Sequence, residues 1–439
     1  MDDHLKIKIK KGLDLPLKGT PSGEVKLLPL PDEVALDLSF FETLLFTLLK
    51  KEGEEVRVGE PLVVDKKCPG RVFVSPGSGK IKEIIRGERR RILSIVIETD
   101  HKQTPFRQEK GSIDTLMEGG LFPHILFRPC ERIAHPNKKP EVIFVKAIES
   151  APFAPPAELQ VQGKEELFQA GLEGLKALAP LHIVTREGSS CELFTKPSYG
   201  EVHFASGPHP IGNVSLHIAA IHPIKRNDQC IWVLSTSDVV AIGMWLKEGT
   251  YYAEKVIGVG GEGIPEEKRG FYRANRGVSL ESLIGKTDSS IRVISGDPLN
   301  GSSNIRFLGF HHNVVCAFPE REGKREFLPF LKMNRKGYTA SKGYFFQKKF
   351  SSFTTRQHGE ERAFIDGAIY DRVMPLKIET MPLIKMFLAR DYEKGEAMGL
   401  LEIAPEDFSL PAFICLSKIE MPEIVKEGLQ HYTEQYLDE

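Results

Sequence analysis

Val142-Ile143-Phe144-Val145 is a short, uninterrupted apolar run; Leu167, Phe168, Leu172, Leu175 and Leu178 follow at helical spacing, and Leu181-His182-Ile183-Val184 then returns to an apolar run. Successive strand residues point to opposite faces, so a continuous apolar run belongs to a strand buried on both. A strand, a helix and another such strand imply a parallel α/β layer, because parallel neighbours need a crossover between them.

Outward from this stretch the pattern changes twice. Between Val56 and Glu98 apolar and polar residues alternate at period two, broken by Gly59, Pro69-Gly70, Pro76-Gly77, Gly79 and Gly87, which predicts a small all-β module. The preceding stretch, Phe40 to Lys51, fits a helix on periodicity. Asp238 to Lys247 is a second predicted helix, with Ser235-Thr236-Ser237 as capping candidates and Gly249 as its stop. From Lys255 to about Phe318 strands return, with turns at Gly258 to Gly263, Asn275 to Gly277 and Gly296-Asp297-Pro298, and a helical turn or two at Ser279 to Ile284. Met381 to Leu400 and Pro422 to Tyr436 read as a small helical cap, interrupted by Pro405 and Pro411.

A chain of 439 residues with 41% apolar and 27% charged residues is too long for one core and predicts three or four small domains. Its net charge of -1 supplies no basic field for a phosphate backbone, which argues against a nucleic-acid partner. The longest apolar stretch, Cys230 to Leu246, is interrupted by Ser235 to Asp238, short of the roughly 20 apolar residues that span a bilayer. Acids near the start, and no apolar segment behind them, predict a cytoplasmic chain without a signal peptide. Six cysteines, at 68, 130, 191, 230, 316 and 415, form no CxxC pair and are expected as separate reduced thiols.

Several motifs invite a chemical reading. Gly258-Val259-Gly260-Gly261-Glu262-Gly263 fits GxGxxG, but no amphipathic helix follows to present amides to a pyrophosphate, so a flexible turn is expected. Pro76-Gly77-Ser78-Gly79-Lys80 has Val74 and Ile81 where a phosphate loop needs Gly and Ser or Thr. Asp65-Lys66-Lys67 resembles the hairpin lysine of biotinyl and lipoyl carriers, yet runs directly into Cys68-Pro69-Gly70 and is read as a structural turn. Histidines 203, 209, 217 and 222 match no compact ligand pair, and on a strand His217 and His222 would face opposite ways, so they are read as structural and no metal is expected. Arg89-Arg90-Arg91 is read as a solvated or subunit-facing edge. No acid-base pair is legible.

A set of short motifs in fixed order carries a resemblance. These are Lys11-Gly12-Leu13-Asp14-Leu15-Pro16 with Gly19, Asp65-Lys66-Lys67 with Pro69-Gly70, Gly207-Pro208-His209-Pro210, and Arg292 to Leu299 with Gly301. His358-Gly359-Glu360, Tyr370 with Arg372-Val373, Pro405-Glu406-Asp407-Phe408 and Phe413-Ile414-Cys415 follow. Together they resemble the NqrA family, one of the subunit families of bacterial sodium-translocating NADH:quinone oxidoreductases, over nearly the whole chain, and the last third is similar to the version found in chlamydia-like bacteria. Two departures are Glu42-Thr43-Leu44-Leu45, where many members carry Gly-Met-Arg-Pro in extended chain, and Cys130 in place of an aromatic.

The resemblance implies a multidomain α/β and α+β architecture, distantly related to the flavin-binding subunit of respiratory complex I. Residues 1–105 would form a barrel-sandwich-like β module of the biotinyl/lipoyl type and 106–250 a Rossmann-like, flavin-subunit-like α/β domain. A β-grasp (SLBB-like, soluble-ligand-binding) domain would occupy 251–330. Residues 331–439 would be a connecting segment and a C-terminal helical domain whose iron-sulfur site is lost. Leu121 in Gly119-Gly120-Leu121-Phe122-Pro123 blocks the close approach glycine allows a flavin, and Cys415 alone cannot hold a cluster that takes four thiolates. The implied role is that of a peripheral, cofactor-free subunit on the cytoplasmic side of the inner membrane. It would assemble with the membrane-embedded and NADH-oxidising subunits, which hold the flavins and iron-sulfur, in a complex that oxidises NADH, reduces ubiquinone to ubiquinol and exports Na+. Ubiquinone stays open as a ligand, with Phe122, Arg128 and His209 as candidate contacts and no catalytic residue. A biotinyl or lipoyl carrier using Lys66 or Lys67, and a flavin-dependent NADH dehydrogenase subunit using Gly119 to Pro123, are the alternatives.

Overall fold

The computed structural model describes residues 4–107, 111–303, 305–320, 352–355, 363–365 and 367–437; the His358-Gly359-Glu360 motif and most of the connecting segment lie outside them. The run that opens at Val142 is the centre of a seven-stranded sheet, in the order Lys6–Lys8, Glu201–Ser206, Leu181–Arg186, Val142–Ala147, Ile231–Ser235, Leu126–Arg128 and Arg132–Ile133. The first five strands are parallel, and the last two join through antiparallel pairings. From Val142–Ala147 the chain steps to Leu181–Arg186 and Glu201–Ser206 on one side, then returns to Ile231–Ser235 on the other. The order therefore reverses beside the central strand, and open α/β sheets bind ligands outside the carboxyl ends at such a reversal.

Alternation along the central strand sorts the two faces. Ile143 and Val145 join a core with the helices Glu165–Lys176 and Thr236–Glu248, while Val142 and Phe144 face the helix Val214–Ile221 and the C-terminal helices Thr380–Ala389, Ser409–Ile414 and Met421–Tyr436. Helix Thr236–Glu248 is capped as its sequence predicts: Ser235 Oγ accepts the Asp238 N–H, and Gly249 closes it at φ 65°. Helix Val214–Ile221 corrects the strand reading of this region, placing His217 within the helix and His222 at its end. Its sequence is apolar on nearly every side, so the helical period is invisible in it.

Seven further strands form two small sheets, Glu33–Asp37, Ile92–Thr99, Gly79–Arg86 and Glu55–Val56 in one and Phe46–Leu48, Pro61–Asp65 and Val72–Val74 in the other. They enclose Val34, Leu36, Phe41, Leu62, Phe73, Ile81, Ile95 and Ile97. The helical reading of Phe40 to Lys51 is corrected here: Phe46–Leu48 pairs with Pro61–Asp65, and ladder hydrogen bonds override local periodicity. Val25–Leu27 leaves this module and joins a six-stranded mixed sheet, ordered Ser302–Ser303, Ile291–Ser295, Val314–Pro319, Glu254–Gly260, Gly270–Asn275 and Val25–Leu27. The expected flexible turn at Gly258 to Gly263 is half strand. Gly258 and Gly260 are buried inside Glu254–Gly260, and a Cβ on Gly258 would collide with the Phe153 carbonyl.

Candidate functional site

Motifs hundreds of residues apart meet at the carboxyl end of the central strand. Lys146 stands there on the face covered by the C-terminal helices, with its Nζ 3.1 Å from Glu149 Oε2. The loop after Glu201–Ser206 brings His209, whose Nδ1 lies 2.9 Å from Ser150 Oγ. Around it folds the N-terminal motif: Asp14 accepts the His209 N–H at 2.8 Å, and the Leu13 N–H donates to the His209 carbonyl at 2.8 Å. Gly12 makes this wrapping possible, because at φ 140° a Cβ there would collide with the same carbonyl. Asn213 donates to Asp407 Oδ1 at 2.9 Å, and Ser409 donates to Asn300 of the Asp297 loop. Lys11 to Pro16, Gly207 to Pro210, Arg292 to Leu299 and Pro405 to Phe408 are thus parts of one polar chamber.

Charge in this chamber is concentrated and sheltered. Burial would lower the Lys146 ammonium, but Glu149, Glu406 and Asp297 together push it up to about 12. Burial pushes the Glu406 carboxyl up to about 8, with Lys146 opposing and Glu131 and Asp407 adding repulsion. Glu131 is pushed up to about 7, again by burial, against the pull of Arg128. Cys130 and Glu131 hold left-handed backbone at φ 66° and 42°, a conformation non-glycine residues adopt at a cost of about 1–3 kcal/mol and mostly at specialised sites. His209 is pushed down to about 4 by burial and by Lys146, so its ring is neutral at pH 7.

The three residues singled out from the sequence do not form one pocket. Arg128 is 1% exposed, donating from Nη1 to Ser215 Oγ at 3.1 Å and from Nη2 to the Glu402 carbonyl at 2.9 Å. It borders the same chamber as His209, which is 3% exposed and whose Nε2 is buried without a partner. Phe122 packs instead on the other face of the sheet, edge-on to Trp232 with ring centroids 5.8 Å apart. Glu402 also lines a cavity of about 450 Å³ with Lys377, Glu379, Glu396 and Met398. Its size suits a small molecule, but its wall carries three carboxylates and a lysine among a few aliphatic side chains and no aromatic ring.

The loop Gly119 to Pro123 is packed by the protein's own side chains. Leu121 is fully buried, and a Cβ on Gly119 would press into the Trp245 ring and one on Gly120 into Val74. In the C-terminal helices Cys415 is buried with its Sγ 3.1 Å from Tyr370 Oη, and among the described residues no further cysteine stands there. Lys66 and Lys67 are exposed between the paired strands Pro61–Asp65 and Val72–Val74, but their backbone is tied down. Asp65 is fully buried against Arg71 at 3.1 Å and accepts the Lys67 N–H, while the Lys66 N–H donates to the Leu45 carbonyl.

A second buried cluster escaped the sequence reading. His124 Nδ1 lies 3.1 Å from Asp238 Oδ1 and its Nε2 2.9 Å from Tyr251 Oη, and Arg276 Nη2 donates to the same Asp238 oxygen at 3.0 Å. Phe310 packs on His124 with its ring tilted by 37°, and Asn275 donates to the Pro76 carbonyl, so the N-terminal module, the α/β layer and the six-stranded sheet meet here. His124, Asp238 and Arg276 are 114, 38 and 152 positions apart in pairs, a spacing that carries no sequence signal.

Comparison with known proteins matches residues 7–100 to the family model described as the NqrA N-terminal barrel-sandwich hybrid domain and 108–251 to the NqrA second alpha/beta domain. The chain is 34% identical to the NqrA protein of the Na(+)-translocating NADH-quinone reductase of Chlamydia caviae, over 98% of this chain and 97% of that one. It is 33% identical to that of Chlamydia pneumoniae, over 98% of each, and 33% identical to that of Yersinia pestis, over 96% of this chain and 98% of that one. Among solved structures, a NAD+-reducing [NiFe]-hydrogenase in the H2-reduced state aligns at a TM-score of 0.35 and 12% identity, over 68% of this chain and 56% of that one.

Proposed function

The chain belongs to the NqrA family of Na(+)-translocating NADH-quinone reductase subunits, and from that premise we propose that it is the peripheral subunit of a membrane complex that oxidises NADH, reduces ubiquinone and exports Na+. It carries no flavin and no iron-sulfur cluster of its own. One observation supports this above the others: the glycine loop is occupied by the protein's own Leu121, Trp245 and Val74. A hydride from NADH therefore has no acceptor on this chain, and the redox groups belong to its partners. Protein purified anaerobically should contain neither stoichiometric flavin nor iron and should oxidise no NADH with any quinone; a yellow protein, or one with iron, overturns the reading.

Its place is on the cytoplasmic side, against membrane-embedded and NADH-oxidising subunits. Among the described residues no helix is long and apolar enough to cross a membrane, which fits attachment through a surface. We take 106–250 as a Rossmann-like, flavin-subunit-like unit on its order reversal, 251–330 as a β-grasp unit on its mixed sheet, and the residues after 367 as the helical unit.

A quinone contact is the second reading, favoured by the unpartnered His209 Nε2 in a chamber shared with Arg128. A neutral imidazole N–H and a guanidinium are the donors a quinone carbonyl needs. Phe122, on the other face, would not wall the same pocket. In the assembled complex, Arg128→Lys and His209→Gln should raise the quinone KM several-fold with kcat nearly unchanged, since donors to a ground-state carbonyl act on binding. Wild-type KM in a fully assembled variant complex leaves the chamber a structural joint.

A further inference from the structure

Strand pairing sets side by side two histidines that lie 21 positions apart in the chain. Leu181–Arg186 and Glu201–Ser206 run parallel, with His182 opposite Glu201 and Val184 opposite His203. Residues two apart on a strand share a face, so His182, Glu201 and His203 project together. His182 Nδ1 lies 3.0 Å from His203 Nε2 and 3.6 Å from Glu201 Oε2, and one ligand atom from each residue falls within 4.8 Å of the others.

From this geometry we propose that His182, Glu201 and His203 form a binding site for a borderline divalent transition-metal ion of the zinc class. Ligand atoms about 2.0–2.2 Å from a tetrahedral ion stand about 3.3 Å from one another, and the observed 3.0 and 3.6 Å fall on either side of that spacing. Two imidazoles and a carboxylate are also the ligand types zinc takes when a fourth position is left to water. Magnesium and calcium are excluded by the same set, since they take predominantly oxygen ligands in larger number.

The site is held before any ion arrives. The His182 ring packs on Phe144 with centroids 5.4 Å apart, and His203, 5% exposed, sits beneath it with centroids 5.1 Å away. The Glu201 side chain is 68% exposed, which gives the ion a path from solvent and leaves the fourth position on that side. Nearby His4 is engaged elsewhere, its Nδ1 3.0 Å from the Val202 carbonyl. An ion here would tie two adjacent parallel strands together. Spacing along the chain, on which the expectation of no metal rested, does not register a ligand pair built across strands.

The test uses the full chain, stripped with a chelator and titrated with Zn2+ against a chromophoric competitor, with Co2+ for the tetrahedral d–d spectrum and Mg2+ as control. One equivalent of Zn2+ should bind. His182→Gln should weaken it by more than about 100-fold and Glu201→Gln by about tenfold, since even outer-shell changes cost metal sites 10–100-fold. His203→Gln is buried and is judged only if its circular dichroism is native; the other two variants carry the test without it. No stoichiometric Zn2+ uptake, or uptake unchanged in both His182→Gln and Glu201→Gln, overturns the proposal: the pair is then an ordinary histidine-histidine hydrogen bond.

Discussion

Asp238→Ala is expected to cost about 3–5 kcal/mol of stability, the usual loss when one partner of a buried ion pair is removed. Asp238 is 8% exposed at the start of helix Thr236–Glu248, and its Oδ1 takes both Arg276 and His124. Burial alone would raise this carboxyl, but Arg276 first and His124 next hold it well below the usual carboxylate range. Removing it strands Arg276, 6% exposed, beside Lys255, whose ammonium burial and Arg276 already hold well below its ordinary value. The sign of the pH dependence follows. A depressed carboxyl stabilises fully above its unfolded value near 3.9 and loses that contribution only as pH falls toward its folded value. The gap between wild type and Asp238→Ala should therefore be constant from pH 6 to 8 in chemical denaturation. A loss under 1 kcal/mol would show that the junction is held by its apolar neighbours and not by this pair.

What could be read in advance followed from local chemistry. The apolar runs at Val142 and Leu181, and the Ser235 and Gly249 signals around one helix, each act within a turn or a strand, and each appears where its sequence places it. Phe40 to Lys51 and Val214 to Ile221 fail for different reasons. In the first, pairing with Pro61–Asp65 outweighs a helical period; in the second, burial on most sides erases the period altogether. The polar chamber was half legible. Asp14, His209, Asp297 and Asp407 all lie in quoted motifs, but only the fold brings them together, and Phe122, close to Arg128 in sequence, packs across the sheet from it. His124 with Asp238, and His182 with His203, were out of reach because both are pairs made across elements.

Glu406→Gln should change the pH dependence of stability more than stability at any one pH. Glu406 sits in the short turn Pro405–Phe408, facing Lys146 and Glu131 from the C-terminal side of the chamber. Its carboxyl is raised to about 8, so the folded chain holds a proton that the unfolded chain releases near pH 4.3. A raised group stabilises fully below its unfolded value and loses that contribution as pH rises through its folded value. For wild type the loss runs from about pH 4.5 to about 8, at roughly 1.4 kcal/mol per pH unit for each proton involved. Glutamine is neutral throughout and has nothing to lose. The two chains should match closely near pH 4.5, and the variant should exceed wild type by a few kcal/mol at pH 9. Glu131, raised to about 7, adds to the alkaline loss in both chains, but less in the variant, where its coupled neighbour no longer ionises. Unfolding free energies measured from pH 4.5 to 9 decide the matter, and parallel curves would mean that Glu406 ionises at its ordinary value. Because Asp407, the neighbour of Glu406, joins the C-terminal helices to the α/β layer through Asn213, alkaline pH should loosen that joint first. Hydrogen exchange should then rise in Ser409–Ile414 and Met421–Tyr436 of wild type, and much less in Glu406→Gln.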